Sequence, residues 1–176
     1  LDISAPDSVE VQTERAFHEA KELGLAKLFV SNKMDKERAN AAQCLADIKE
    51  ELEVTPVQLH IPMGAAESFK GIISVLDNKA YVFEGNTGKF EAQDVPAEYA
   101  DAVQEAWEAI MEAVAETDDD LMMEYLENME LSHEQCINAM PAAIQTGKLV
   151  PVFYASALNL VGIEQLLDMI VKYAPN

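Results

Sequence analysis

The sequence predicts an α/β fold, a parallel sheet with flanking helices that carries an inserted α+β subdomain. Two observations carry that reading. A strand, a polar loop and an amphipathic helix follow one another over residues 26–53, and the same design returns at 149–173. The return comes far beyond one βαβ repeat of roughly 30 residues, and the segment between has a different character. An insertion accounts for the gap. The expected division is 1–55 with 148–176 as one unit and 56–147 as the inserted one.

Leu1-Asp2-Ile3 reads as the tail of a strand. EVQTERAFHEAKEL, from Glu10 to Leu23, is helical, and Gly24 stands where a left-handed C-terminal residue is expected. Leu28-Phe29-Val30 is a buried strand. Glu37 to Glu53 is a second helical run, with Ala41, Cys44, Leu45, Ile48 and Leu52 on one stripe. A parallel sheet is normally buried on both faces, so an exposed apolar edge is expected on the Leu28–Val30 side.

Between strand and helix lies Ser31-Asn32-Lys33-Met34-Asp35. Ligands of open α/β sheets sit outside the carboxyl ends of the strands. Asn32, Lys33 and Asp35 there suit a guanine base. A carboxylate accepts from both N1–H and the exocyclic amine, the donors that distinguish guanine from adenine. The Asn amide bonds the purine edge, and the Lys stem lies flat on the ring. Such a site rejects the analogue lacking those donors, because its own acceptor goes unpaired. Ordinary loop chemistry after a strand is the competing reading.

Past Thr55-Pro56, Val57 to Pro62 alternates like one short strand whose prolines mark an edge. Gly71 to Gly85 reads as a hairpin with its turn at Asp77-Asn78. Gly85-Asn86-Thr87-Gly88-Lys89 is not a phosphate loop: position 83 is Phe, and Phe90 stands where Ser or Thr is needed. A helix opens at Pro96. Glu98, Asp101, Glu105, Glu108 and Glu112 line one side of it, and Tyr99, Val103, Ala106, Trp107, Ile110 and Val114 the other. The Trp107 side reads as core; the acid stripe reads as solvated surface or as a docking face. Thr117 is expected to cap the helix after it, with Asp118-Asp119-Asp120 favoured by its dipole rather than gathered for a metal.

Ser132-x-x-Gln135 has the form of a capping box, opening a helix to about Thr146 that Pro141 should kink, with Gly147 past its end. Lys148 to Tyr154 is the second apolar strand, followed by Ala155-Ser156-Ala157-Leu158. From Gly162 to Tyr173 a closing helix turns Ile163, Leu166, Leu167 and Ile170 inward.

Composition narrows the function classes. In 176 residues, 32 acids face 12 Lys and Arg, for a net charge of -20. That disfavours direct contact with a phosphate backbone and favours a basic protein partner, if any. No run approaches the roughly 20 apolar residues of a membrane span. Cys44 and Cys136 are not close-spaced and fit two reduced thiols in a cytoplasmic protein. His18, His60 and His133 are scattered, so neither metal ligands nor a catalytic residue can be named. The chain opens on Leu1, as a piece cut from a longer protein would.

Six stretches in order, VQTE at 11–14, VSNKMD at 30–35, LHIPMGAAESFKGII at 59–73, AETDDDLMMEYLE at 115–127, GKLVPVFYASAL at 147–158 and GIEQLLDMIVKYAP at 162–175, together resemble bacterial elongation factor G. The resemblance implies the C-terminal half of a P-loop GTPase domain with its inserted subdomain, and ETDDDLM is closer to the elongation-factor-G-like paralogues. It makes Asn32, Lys33 and Asp35 the guanine-specificity motif and Ser156, Ala157 and Leu158 the second base-binding motif, with the Ala157 N–H donating to guanine O6. The family commonly has Gly where Ala155 stands, which alters the shape of the pocket. It implies GTP or GDP as ligand, Mg²⁺ in the intact protein, and the ribosome as partner, through the large-subunit stalk protein at the inserted lobe. Glu98, Asp101, Glu105, Glu108 and Glu112 would carry that contact. There is no GxxxxGK[ST], switch threonine segment or DxxG in this sequence, so the phosphate cradle and Mg²⁺ ligands are expected elsewhere in the parent protein. Two alternatives stay open: a non-enzymatic acidic module docking a basic partner, and a release-factor or ribosome-protection GTPase.

Overall fold

Two sheets carry the chain. The computed structural model describes residues 1–174, so Pro175 and Asn176, the end of the expected 148–176 span, lie outside the described residues. The elements run β1 (Asp2–Ser4), α1 (Val11–Glu22), β2 (Phe29–Asn32), α2 (Ala41–Glu51), β3 (Pro56–Gln58), β4 (His60–Met63), β5 (Gly71–Ser74), β6 (Lys79–Phe83), β7 (Phe90–Asp94), α3 (Ala100–Ala115), α4 (Asp119–Asn128), α5 (His133–Thr146), β8 (Val150–Tyr154) and α6 (Ile163–Tyr173). The first sheet is parallel, in the order β1-β2-β8-β3; the second is an antiparallel meander, β4-β5-β6-β7.

β8 explains where the core lies. All five of its residues are buried, as a strand covered on both faces requires. Val150, Val152 and Tyr154 pack with Phe17, Phe29, Cys44 and Ile48 beneath α1 and α2. Phe153, with Leu149 just before the strand, packs on the other face with Leu59, Ile110, Met140 and Ile144. This is the period of two along a strand distributed over two cores. Pro151 is tolerated because the pairing with β2 begins only at Val152.

The Leu28–Val30 side is not an edge. Three residues suffice for β1, which pairs Ile3 with Ser31, and Val30 donates to the Leu1 carbonyl at 2.9 Å. The edges of the parallel sheet are β1 and β3. The single strand expected over Val57–Pro62 is two strands in different sheets. Leu59 joins them, donating to the Val152 carbonyl at 3.2 Å and accepting from Val75 N–H at 3.0 Å.

Other boundaries shift for local reasons. α2 starts at Ala41 rather than Glu37, because Asn40 accepts from the Gln43 N–H at 3.1 Å and caps it, while Lys36–Ala39 forms a turn with Arg38 at φ 73. A short 3-10 turn, Ala97–Tyr99, separates Pro96 from α3. The cap of α4 is Asp118, accepting from Asp120 and Leu121, and not Thr117, whose hydroxyl donates to the Val114 carbonyl at 2.6 Å. The Ser132/Gln135 capping box forms, and α5 runs unbroken through Pro141. β7 has no counterpart in the sequence reading: FEAQD is an exposed edge strand without apolar alternation, and charged edges resist further pairing. On α6 the inward residues are Gln165, Leu166 and Met169; Leu167 is 56% and Ile170 37% exposed. The apolar stripe of that helix is wider than the face its neighbours cover, so one rim remains outside.

Candidate functional site

β2 ends at Asn32, whose carbonyl accepts from Ala5 N–H at 2.8 Å. The chain then turns sharply, with Lys33 at φ 60. Asn32 stabilises that turn itself: its Oδ1 accepts from the Lys33 N–H at 2.7 Å. Lys33 stays exposed and reaches back over the sheet, Nζ to Ser4 Oγ at 3.4 Å. Met34 is fully buried. Its N–H donates to the Ala155 carbonyl at 3.1 Å, and its own carbonyl accepts from Ala66 N–H at 2.8 Å. With its neighbour fastened on both sides, Asp35 is presented at the carboxyl end of the sheet.

β8 ends one strand away. Ala155 and Ser156 are buried, and Ser156 and Val161 exchange backbone hydrogen bonds of 3.1 and 3.0 Å that close a tight loop. Ala157 and Leu158 lie exposed at its tip. Gly162 ends it at φ +75, where a Cβ would stand 2.7 Å from the Tyr154 carbonyl oxygen. Only glycine fits that close approach without strain.

The two loops are laced together over a long stretch of sequence. Ser156 Oγ donates to Asp35 Oδ1 at 2.6 Å, and Ala157 N–H donates to Asn32 Oδ1 at 3.0 Å. Asn32 Oδ1 thus accepts from both loops at once. Ser156 Oγ also accepts from Asn159 N–H at 3.3 Å. The donor that the resemblance assigns to guanine O6 is therefore turned onto Asn32, and Asn32 ties its loop to the second base loop.

Burial alone would raise the Asp35 carboxyl, but hydrogen bonds from Ser156, from its own backbone and from Lys36, with the charge of Lys36, hold it below the usual carboxylate range. The group is ionised at neutral pH. Ser156, the Asp35 backbone and Lys36, 3.4 Å away, already stand on this carboxylate; of about four acceptor positions one stays free, and a second opens when the exposed Lys36 gives way to a paired N–H donor. That donor set fits the guanine edge. It does not fit Mg²⁺: among the described residues no three His, Cys, Asp or Glu side chains converge on one point.

The fold thus brings Asn32, Lys33, Asp35, Ser156, Ala157 and Leu158 to one end of the parallel sheet. Glu98, Asp101, Glu105, Glu108 and Glu112 lie elsewhere, all exposed on the 3-10 turn and α3. Trp107 is half-buried against His133, the rings stacked at 5.6 Å, as a core residue. Ser4, the contact of Lys33, is missing from the sequence reading; its place at the end of β1 was the available signal. The Ala66 and Ala155 backbone contacts carry no side-chain signal at all. Cys44 and Cys136 are free and buried, and no helix among the described residues is long and apolar enough to cross a membrane.

The family described as the elongation factor Tu GTP binding domain matches residues 1–176. A crystal structure of a protein from Thermus thermophilus is similar at 33% identity with a TM-score of 0.87, over 99% of this chain. The chain spans 26% of that protein's length. The parallel sheet with flanking helices is a GTPase domain fold, here with an inserted antiparallel sheet. The chain belongs to the elongation factor Tu GTP-binding domain family, as an elongation-factor-G-like member.

Proposed function

We propose that Asn32, Lys33, Asp35, Ser156, Ala157 and Leu158 hold the guanine base of GTP or GDP, in a protein that acts on the ribosome in translocation or a related step. The observation that carries this reading is the Ser156–Asp35 hydrogen bond of 2.6 Å. It fixes an ionised carboxylate at a strand end, where the free acceptor position and the one that Lys36 faces take N1–H and the exocyclic amine. Adenine offers no such donor pair, and a stranded acceptor costs roughly 1–3 kcal/mol. We place the inserted unit between β3 and β8, starting after Gln58 rather than at the expected residue 56, because β3 pairs with β8 in the parallel sheet. Phosphate binding, Mg²⁺ coordination and hydrolysis belong to the whole protein, and no step of them is assigned to these residues.

The test follows backbone amide resonances of the 176-residue chain during titration with guanosine and adenosine monophosphates. Guanosine should shift Asn32 to Asp35 and Ser156 to Leu158, at least about tenfold more tightly than adenosine. Asp35→Asn should move the preference to the xanthosine nucleotide, whose extra carbonyl accepts where guanine donates. Equal responses to both purines, or unchanged preference in Asp35→Asn, would remove the assignment.

A second surface supports a partner. The five acids from Glu98 to Glu112 form one exposed face, suited to a basic domain such as that of the large-subunit stalk protein. Glu105→Lys with Glu108→Lys should weaken that binding and flatten its loss with salt, because fewer attractive charge pairs remain to be screened. Unchanged affinity would clear this face of a docking role.

A further inference from the structure

His60, in β4, is fully buried, and neither ring nitrogen has a hydrogen-bond partner among the described residues. Gln165, in the first turn of α6, is 7% exposed, and its Oε1 is likewise unpartnered. Buried polar atoms are nearly always paired, so two on one cavity call for an explanation. Both line a cavity of about 190 Å³ between α6 and the antiparallel sheet.

The rest of the lining has a consistent chemistry. Asp77, Glu164 and Asp168 stand at the mouth with a single cation, Lys172. Asp77 is held in place, accepting from Ser74 Oγ at 2.8 Å and Tyr81 OH at 3.4 Å. Tyr81 and Phe90 form an aromatic wall, edge to face at 5.4 Å. Burial drives the His60 imidazole down to about 3 against a weaker upward pull from Asp77, so one ring nitrogen is an acceptor at neutral pH. The cavity therefore offers an amide oxygen, an imidazole nitrogen, carboxylates and aromatic faces. Every one of these prefers a positively charged donor.

We propose that this cavity binds an organic cation, a guanidinium or primary ammonium head group, with its N–H donors on Gln165 Oε1 and the His60 ring and its charge beside Asp77, Glu164 and Asp168. A water requires only about 10–15 Å³ of such space, so a head group of several heavy atoms is accommodated. The chemistry is shared by a free amine or guanidine and by a Lys or Arg side chain of another protein. The proposal is independent of the guanine site, which lies at the ends of β2 and β8.

The test titrates the ¹⁵N-labelled 176-residue chain with methylguanidinium chloride, with a blocked arginine tripeptide and with neutral N-methylurea, at constant ionic strength. Saturable shifts of the His60 ring nitrogens and the Gln165 side-chain amide are expected with both cations, about three- to fivefold tighter than with the urea. The double variant Glu164→Gln, Asp168→Asn should lose most of that difference while melting at the wild-type temperature. A tighter tripeptide points to a protein side chain as the source, and equal affinities to a free cation. Absence of saturation with either cation, or an equal response to the urea, overturns the proposal and leaves a cavity that holds water. Guanosine titration of the same sample reads the other site separately.

Discussion

Replacing His60 by Leu should remove most of the chain's loss of stability between pH 7 and pH 5. The imidazole is fully buried, and its pKa falls from 6.5 to about 3, chiefly by desolvation and against the opposing charge of Asp77. Tyr81, Glu164, Asp168 and Lys172 share its cavity. A histidine depressed in the folded state makes the unfolded state the better proton acceptor. Stability is then intact above about pH 6.5 and falls as the pH drops toward 3. At pH 5 the unfolded imidazole is almost wholly protonated and the folded one almost wholly neutral. Integrating the linkage relation from pH 7 gives a loss of about 2 kcal/mol for this one group. Net charge works in the opposite direction, because acid relieves self-repulsion in a chain of charge -20; the wild-type and variant difference cancels it. At pH 7 the leucine should be neutral or stabilising by about 1 kcal/mol, since two unpartnered nitrogens leave the interior. Urea denaturation followed by the fluorescence of Trp107, the single tryptophan, measures all four free energies. Equal losses in the two proteins between pH 7 and pH 5 would refute a neutral, unpartnered His60.

Three further substitutions separate the scaffold from the base-reading groups. Ser156→Ala removes the 2.6 Å bond to Asp35; the Asp35 carboxyl should titrate higher by ¹³C NMR, and stability should fall by about 1–2 kcal/mol. Since the Asp35 pKa is depressed in the folded chain, its contribution is present above the unfolded value and lost as the pH falls through the folded one, and the variant should show less of that acid loss. Gly162→Ala combines φ +75 with a Cβ 2.7 Å from a backbone carbonyl oxygen and should lower stability by about 2 kcal/mol or more, read as a drop in urea midpoint. Met34→Ala leaves a cavity at a fully buried position and should lower stability by about 2–5 kcal/mol, whereas Asp35→Asn should change base preference with a smaller effect on the melt.

The two strand-end loops and strands β2 and β8 were legible because their signals are local. Phe29 and Val30, and Val150 to Tyr154, are apolar runs ending in polar loops; the Ser132/Gln135 box and the left-handed Gly147 mark helix ends from their own residue types. What escaped was set by neighbours distant in sequence. Nothing in Val57–Pro62 says that Leu59 hands the chain from one sheet to the other, since that depends on Val152 and Val75. β7 is held by pairing with β6 and not by its own pattern. On α6, sequence spacing offered a broad apolar face, and only the packed structure selects Leu166 and Met169 over Leu167. The polar floor at His60 and Gln165 was invisible for the same reason: the residues belong to elements that meet only after folding.

Met34 shows why the inserted sheet bears on the base loops and is more than a separate docking body. In the proposed base-reading loop Asn32-Lys33-Met34-Asp35, the third residue is the one to which no contact with the base is assigned. Here that residue is the most constrained of the four. Its side chain is buried, its N–H is on Ala155 ahead of the second loop, and its carbonyl is on Ala66 in the turn after β4. Gly88, in the β6–β7 turn, comes within van der Waals reach of Leu160 behind the Ser156 loop, where a Cβ would stand 3.3 Å from the Leu160 Cβ. The insertion therefore meets the first candidate loop through a backbone hydrogen bond, Ala66 to Met34, and closes on the second at Gly88 against the Leu160 side chain. The Ala66–Met34 contact resists substitution, because no side chain can be removed to break it. The position of Asp35 depends on the meander of residues 60–94 as well as on the parallel sheet, and a displacement of that meander would be felt first at Met34.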